Sequence, residues 1–246
     1  VNKALKGGDS WSYRLVAGAD QTSADPLAVL ASAQLTENGD IKLADQTIVR
    51  TGTGTIDIAA GRDVILEGAA SVIYTAGVPG PVLADFISPR ISTLTGTIAE
   101  YPTRGGDIAI HAQRDIKAAP STQIITDWLF RQGSLNPDGT LATTQSTNSN
   151  HRQPTWWTQF SQFKQGIGAL GGGDITITAA RDIDNFSAVI PTNGRLAGAN
   201  KSIPDPFKLV VQGGGNLDVT AGGDIRSGIF YVARGLGEIK ADGALS

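Results

Sequence analysis

The run Gly166-Ile-Gly-Ala-Leu-Gly171 has the G-x-G-x-x-G spacing of a dinucleotide-binding turn. That chemistry needs a strand before the glycines and a helix after them, so that loop amides and the helix dipole meet the pyrophosphate. Here the order is reversed. The glycines follow a stretch with helical periodicity and lead into a strand-like segment at Ile175, so they read as a helix-stopping turn. The imidazoles are His111 and His151, neither with a second histidine at ligand spacing, and no G-x-S-x-G elbow occurs. With no cysteine, a thiolate zinc cluster, a thiol nucleophile and a disulfide framework are excluded. Four carboxylates, Asp63, Asp115, Asp182 and Asp224, recur in one sequence context. A glycosidase or lyase site needs acids that converge once on a cleft, whereas recurrence points to turns in which each carboxylate accepts amide hydrogen bonds. No catalytic residue, cofactor site or metal site is expected.

The aromatic residues offer binding rather than catalysis. Trp156, Phe160, Phe163 and Ile167 fall at i, i+4, i+7 and i+11, which predicts an amphipathic helix over Trp156–Ile167. Pro154 and Thr155 would start it and the glycines from Gly166 would stop it. Its apolar stripe is expected to dock on the wall of the fold near Gly173. The alternative is exposure, with Trp156, Trp157, Phe160 and Phe163 as candidate contacts for a glycan or protein partner.

The elements that would carry these residues are set by an internal repeat. GTIDIAAGRDV from Gly54, GDIAIHAQRDI from Gly106, GDITITAARDI from Gly173 and GNLDVTAGGDI from Gly215 share G-[TDN]-[IL]-x-[IV]-x-A-x-[RG]-D-[IV] without a gap. Apolar residues alternate through the first half, as in Ile56, Ile58 and Ala60, the mark of a strand buried on one face. Ile58, Ile110, Ile177 and Val219 should form one interior column, while Asp57, Ala109, Thr176 and Asp218 face outward. The [RG]-D-[IV] end restarts the chain around a corner. Asn38–Asp45 and Gly237–Asp242 read as partial copies.

Short strands repeated without intervening helices exclude a doubly wound fold and fit a solenoid in which each coil stacks on the last. The fold class expected is all-β, a right-handed parallel β-helix with loop insertions and one short amphipathic helix, in a single domain over 1–246. The copies start 52, 67 and 42 residues apart, read as two or three coils per interval. Insertions are expected at about 77–104, 131–170 and 190–212, where Pro, Ser, Thr, Asn and Gly concentrate. Charged residues make up only 17% of the chain and glycine is abundant at 31 residues, consistent with many tight turns. No basic block exists to neutralise phosphates, so nucleic acid is not an expected partner. The longest uncharged stretch, Gly68–Ala84, carries Pro79 and Pro81, so no spanning helix is expected. Without an initial methionine or a signal-peptide pattern, the chain reads as a section of something longer.

The four copies resemble the haemagglutinin repeat of the filamentous haemagglutinin family. Pro154–Ile183 and Ser10–Asp20 are similar to stretches found in large members of that family. The resemblance implies a secreted protein of the bacterial cell surface, exported by two-partner secretion with an outer-membrane pore as partner. It also implies a structural and adhesive role towards a host or neighbouring-cell glycan or protein. A stalk for contact-dependent toxin delivery is the alternative within that family, and a β-helical polysaccharide lyase or hydrolase the alternative outside it. Lack of cysteine suits export of an unfolded chain.

Overall fold

The computed structural model describes residues 8–80, 99–143, 153–198 and 204–246. Its framework is three parallel sheets that the chain visits in a fixed rotation. Sheet one pairs β1 (Tyr13–Ala17), β4 (Ile56–Ala60), β7 (Ile108–Ala112), β12 (Ile175–Ala179), β17 (Leu217–Ala221) and β20 (Gly237–Ala241), in that order. Sheet two pairs β2 (Ile41–Leu43), β5 (Val64–Leu66), β8 (Ile116–Ala118), β13 (Ile183–Asp184) and β18 (Ile225–Arg226). Sheet three pairs β3 (Ile48–Thr51), β6 (Val72–Thr75), β11 (Gly166–Ala169), β14 (Ala188–Ile190) and β19 (Phe230–Val232). Each passage through sheets one, two and three is one circuit. The arrangement is compatible with a parallel β-helix.

The four repeat copies stack residue on residue. Leu15, Ile58, Ile110, Ile177, Val219 and Ile239 are successive partners in sheet one. Ile58, Ile110, Ile177 and Val219 are all buried, in one core shared with the inward residues of the other two sheets. Asp57, Ala109 and Asp218 are half-buried on the opposite face and Thr176 is exposed. The closing alanines Ala60, Ala112, Ala179 and Ala221 are buried where the chain turns into sheet two.

The leading glycine of the repeat has a steric cause. A Cβ on Gly54, Gly106, Gly173 or Gly215 would overlap the carbonyl of the equivalent residue one circuit earlier. Strand spacing of ~4.8 Å leaves no room for a side chain that points along the stack.

Three expectations need correction. Successive copies are adjacent in sheet one, so each interval holds one circuit, not two or three. The surplus residues lie in the connections, and the shortest circuit, from Leu217 to its partner Gly237, has almost no surplus. The partial copies were also out of register. Ile41–Leu43 belongs to sheet two, paired with Val64–Leu66, while Gly237 stacks on Leu217, two residues beyond the leading glycine. Third, no helix spans Trp156–Ile167: that segment is β10 (Thr155–Thr158), a 3-10 turn at Phe160–Gln162, and β11. Thr and Trp favour extended backbone when strands are available on both sides. Within the predicted stripe only Phe160 and Phe163 share a side, across the 3-10 turn, where residues three apart align; Trp156 and Ile167 lie in strands and separate from them. Among the described residues the α-helical turn is Ile125–Trp128.

The connections build a second structure on one flank. β9 (Leu129–Gln132) and β10 come from the segment between β8 and β11, whose last residues, counted above as part of the 131–170 insertion, form β11 itself. β15 (Thr192–Leu196) and β16 (Leu209–Gly213) come from the segment between β14 and β17. They form an antiparallel sheet in the order β16-β15-β10-β9. A further connection between β1 and β2, not anticipated from composition, crosses sheet one. Parts of the other predicted insertions, residues 81–98, 144–152 and 199–203, lie outside the described residues.

Gly106→Ala should lower stability by about 1–3 kcal/mol through overpacking against the Gly54 carbonyl. Gly139→Ala, where a Cβ meets nothing, should lose only what its left-handed backbone imposes. Equal losses in chemical denaturation would contradict the stacking explanation.

Candidate functional site

The recurring aspartates form a continuous ladder. At the turn from sheet one to sheet two, Oδ1 of Asp63 accepts the Asp115 N–H at 3.0 Å. Asp115 accepts the Asp182 N–H at 3.2 Å, Asp182 that of Asp224 at 2.9 Å, and Asp224 that of Ala244 at 2.7 Å. Asp40 begins the series by accepting the Asp63 N–H at 3.2 Å. The amides served belong to the next circuit, so each carboxylate fastens two circuits together. A shorter ladder runs at the turn into sheet one: Asp107 accepts the Asp174 N–H at 2.8 Å and Asp174 that of Asn216 at 2.7 Å. This explains the Asp or Asn at the second repeat position.

Carboxylates stacked at strand spacing repel one another, and arginines offset this. Arg62 lies 3.6 Å from Asp40, Arg114 3.5 Å from Asp63 and Arg181 3.3 Å from Asp115. The arginine before each aspartate thus reaches back one circuit. Gly223 breaks that pattern, and Arg226 substitutes for it, contacting Asp182 at 3.0 Å, Asp184 at 2.6 Å and Asp224 at 2.9 Å. Asp115 is buried and also receives Lys117 at 2.9 Å. These acids are committed to amides and cations rather than presented to a cleft.

The outer face of sheet one is polar and partly covered. His111 is exposed there, in register with Ala59 and Thr178. Residues Leu27–Val29 of the β1–β2 connection arch over this face beside a groove of about 440 Å³ lined by Asp57, His111 and Thr178. Ala59 is buried, although its side of the strand faces outward. Among the described residues, no three His, Cys, Asp or Glu side chains group to hold a metal ion. His151 lies outside the described residues.

The aromatic candidates separate into two clusters. Phe160 and Phe163 are buried on the outer face of sheet three, with Phe160 stacked on Tyr74 at 5.9 Å and Phe163 edge-on to Trp128 at 5.5 Å. Ile167 is in the main core. Trp157 is fully buried in the antiparallel sheet's own cluster with Tyr101 and Leu196. Trp156 is half-buried; its Nε1 donates to Thr192 Oγ1 at 3.1 Å and its ring occupies the space a Cβ on Gly194 would need. Most of this surface is therefore spent on contacts within the chain. The G-x-G-x-x-G glycines form and follow β11, and another strand, not a helix, comes next.

No protein-family model, curated protein or solved structure matches the chain.

Two outcomes follow from this geometry. Trp157→Ala should destabilise by about 3–5 kcal/mol and Trp156→Ala by clearly less, measured by denaturant unfolding. The second concerns acid. The Asp224 N–H, then the Arg226 guanidinium, hold the Asp182 carboxyl below its ordinary value. A depressed carboxylate contributes stability above its unfolded value, about 3.9, and loses it as pH falls through the folded value. Melting temperature should therefore fall below about pH 4, with a shallower fall in Arg226→Gln. An identical acid profile in that variant would show that the Arg226 guanidinium contributes nothing to the acid response.

Proposed function

We propose that this chain is a section of right-handed parallel β-helix from a large secreted bacterial exoprotein of the haemagglutinin-repeat type. In this reading it acts at the cell surface as a stiff spacer without catalysis, in an adhesin or in a stalk that delivers a toxin. The observation that carries it is the unbroken register of sheet one from Tyr13 to Ala241, reinforced by the aspartate ladder. A spacer needs the same contact at every circuit so that no level is weak. Stacked Ile, Leu and Val inside and Asp–amide–Arg contacts at the corner supply it.

Export also fits the composition. With no cysteine, no cross-link can form before a chain has threaded a pore. Among the described residues no helix is long and apolar enough to cross a membrane. The carboxylates that a polysaccharide-cleaving site would need are instead paired along the ladder.

Antibody raised against the folded chain should label intact cells of the producing strain. Labelling should vanish when the gene for the partner outer-membrane pore is deleted. Labelling that requires permeabilised cells in both strains would end this reading.

A further inference from the structure

Between the corner of sheets two and three and the connection that follows β8 lies a cavity of about 250 Å³. No charged residue lines it, in contrast to the turn from sheet one to sheet two with its paired acids and arginines. The stack contributes Asn185, Ser187 and Ser227; the connection contributes Trp128, Phe163 and Gln165.

Several of these polar groups are unspent. The side chains of Asn185 and Ser227 make no hydrogen bond among the described residues. Ser187 Oγ accepts the Ile229 N–H at 3.0 Å and keeps its own proton to donate. Gln165 donates Nε2 to the Ala119 carbonyl and keeps Oε1 as an acceptor. Donors and acceptors are thus mixed, with no net charge and with apolar surface between them.

The wall is held in place before any ligand arrives. Gln123 donates to the Gln162 carbonyl at 3.1 Å and accepts the Lys164 N–H at 3.3 Å, joining the two arms of the connection. The Trp128–Phe163 contact locks the aromatic side. A cavity fixed in this way spares a ligand the cost of ordering it. Asn185 and Ser227 also hold left-handed backbone, at φ 55° and 60°, at equivalent corner positions of successive circuits.

We propose that this cavity binds one neutral pyranose unit. Its volume lies just below the roughly 300–1,000 Å³ of drug-sized sites and so admits a single ring. A pyranose has hydroxyls that both donate and accept and a C–H face that suits aromatic and aliphatic walls. With no charged residue in its lining, the site offers phosphates, uronates and amino sugars no charge-assisted contact and so does not favour them over neutral sugars. The proposal is independent of the spacer reading, since a free sugar binds whether or not the chain is exported.

Saturation-transfer NMR on the whole chain, with glucose, galactose, mannose and N-acetylglucosamine as probes at millimolar concentration, tests it. At least one of the four should receive saturation, and glucuronate and glucosamine should not. Asn185→Gly keeps the left-handed backbone but removes the amide, and should weaken binding on the order of tenfold. Ser227→Gly relieves the backbone while removing the hydroxyl, and should weaken binding in a chain at least as stable. Overturning results are no transfer to any of the four, equal transfer to the charged sugars, or affinity unchanged in both variants.

Discussion

Backbone hydrogen bonding between successive circuits fixes their separation at ~4.8 Å, and the rest of the structure accommodates that spacing. Within the three parallel sheets each residue sits directly on its equivalent, so a side chain there must be compatible with a copy of itself. Ile, Leu and Val satisfy this inside, where like packs on like. Alanine satisfies it at the bend, and glycine where a Cβ would meet the carbonyl below. Aspartate does not satisfy it unaided. Its self-repulsion is tolerated because one oxygen takes the next circuit's amide and an arginine one circuit on neutralises the carboxylate. The repeat motif is thus a list of side chains that survive stacking on themselves.

That logic explains what could be read from the sequence. Ile58, Ile110, Ile177 and Val219 were legible because alternation within a strand is local, and gapless copies carry the register with them. The corner and the strand it leads into were legible as the [RG]-D-[IV] end of the repeat, but the extent of sheet two and the strands of sheet three were not. Ile183–Asp184 and Ile225–Arg226 have two residues each, too few to show a period, and the lengths of the connections disguised one circuit as several. The role of Arg114 or Arg181 was equally hidden, because the partner of each lies in a neighbouring circuit. The aromatic segment misled for a different reason. Phe160 and Phe163 share a side because of a 3-10 turn, and a period of three or four over so short a span does not distinguish that turn from an α-helix. The cavity beside Asn185 left no mark in the sequence, since its walls come from segments remote in the chain.

The three sheets are treated unequally, and this divides the molecule by task. The middle strands of sheet three are buried on both faces: Ile73, Ala188 and Ile190 point into the core, while Val72, Tyr74 and Val189 lie under Phe160, Phe163 and Trp128. A sheet covered on both sides reads as a continuous apolar run, as Val72–Tyr74 does. Sheets one and two keep polar outer rows such as Asp57, His111, Lys117 and Asp184. The antiparallel sheet on the covered flank brings edges of its own, and an exposed edge invites pairing with other chains. Arg234 partly closes the β16 edge by donating to the carbonyls of Val211, at 3.4 Å, and Gly213.

Stacking also determines where variation is tolerated. In a fold of this kind each circuit contacts chiefly its neighbours, so a change on the axis is felt above and below it. Gly106 has Gly54 on one side and Gly173 on the other, and neither can shift without moving its own neighbour. A connection such as that between β8 and β11 is constrained only where it leaves and rejoins the stack. Between those points it has room to build a sheet, an aromatic layer and a cavity without altering the register. Recognition is therefore expected to reside in the connections and mechanical strength in the repeat, because only the connections can change one residue without disturbing a column of equivalents.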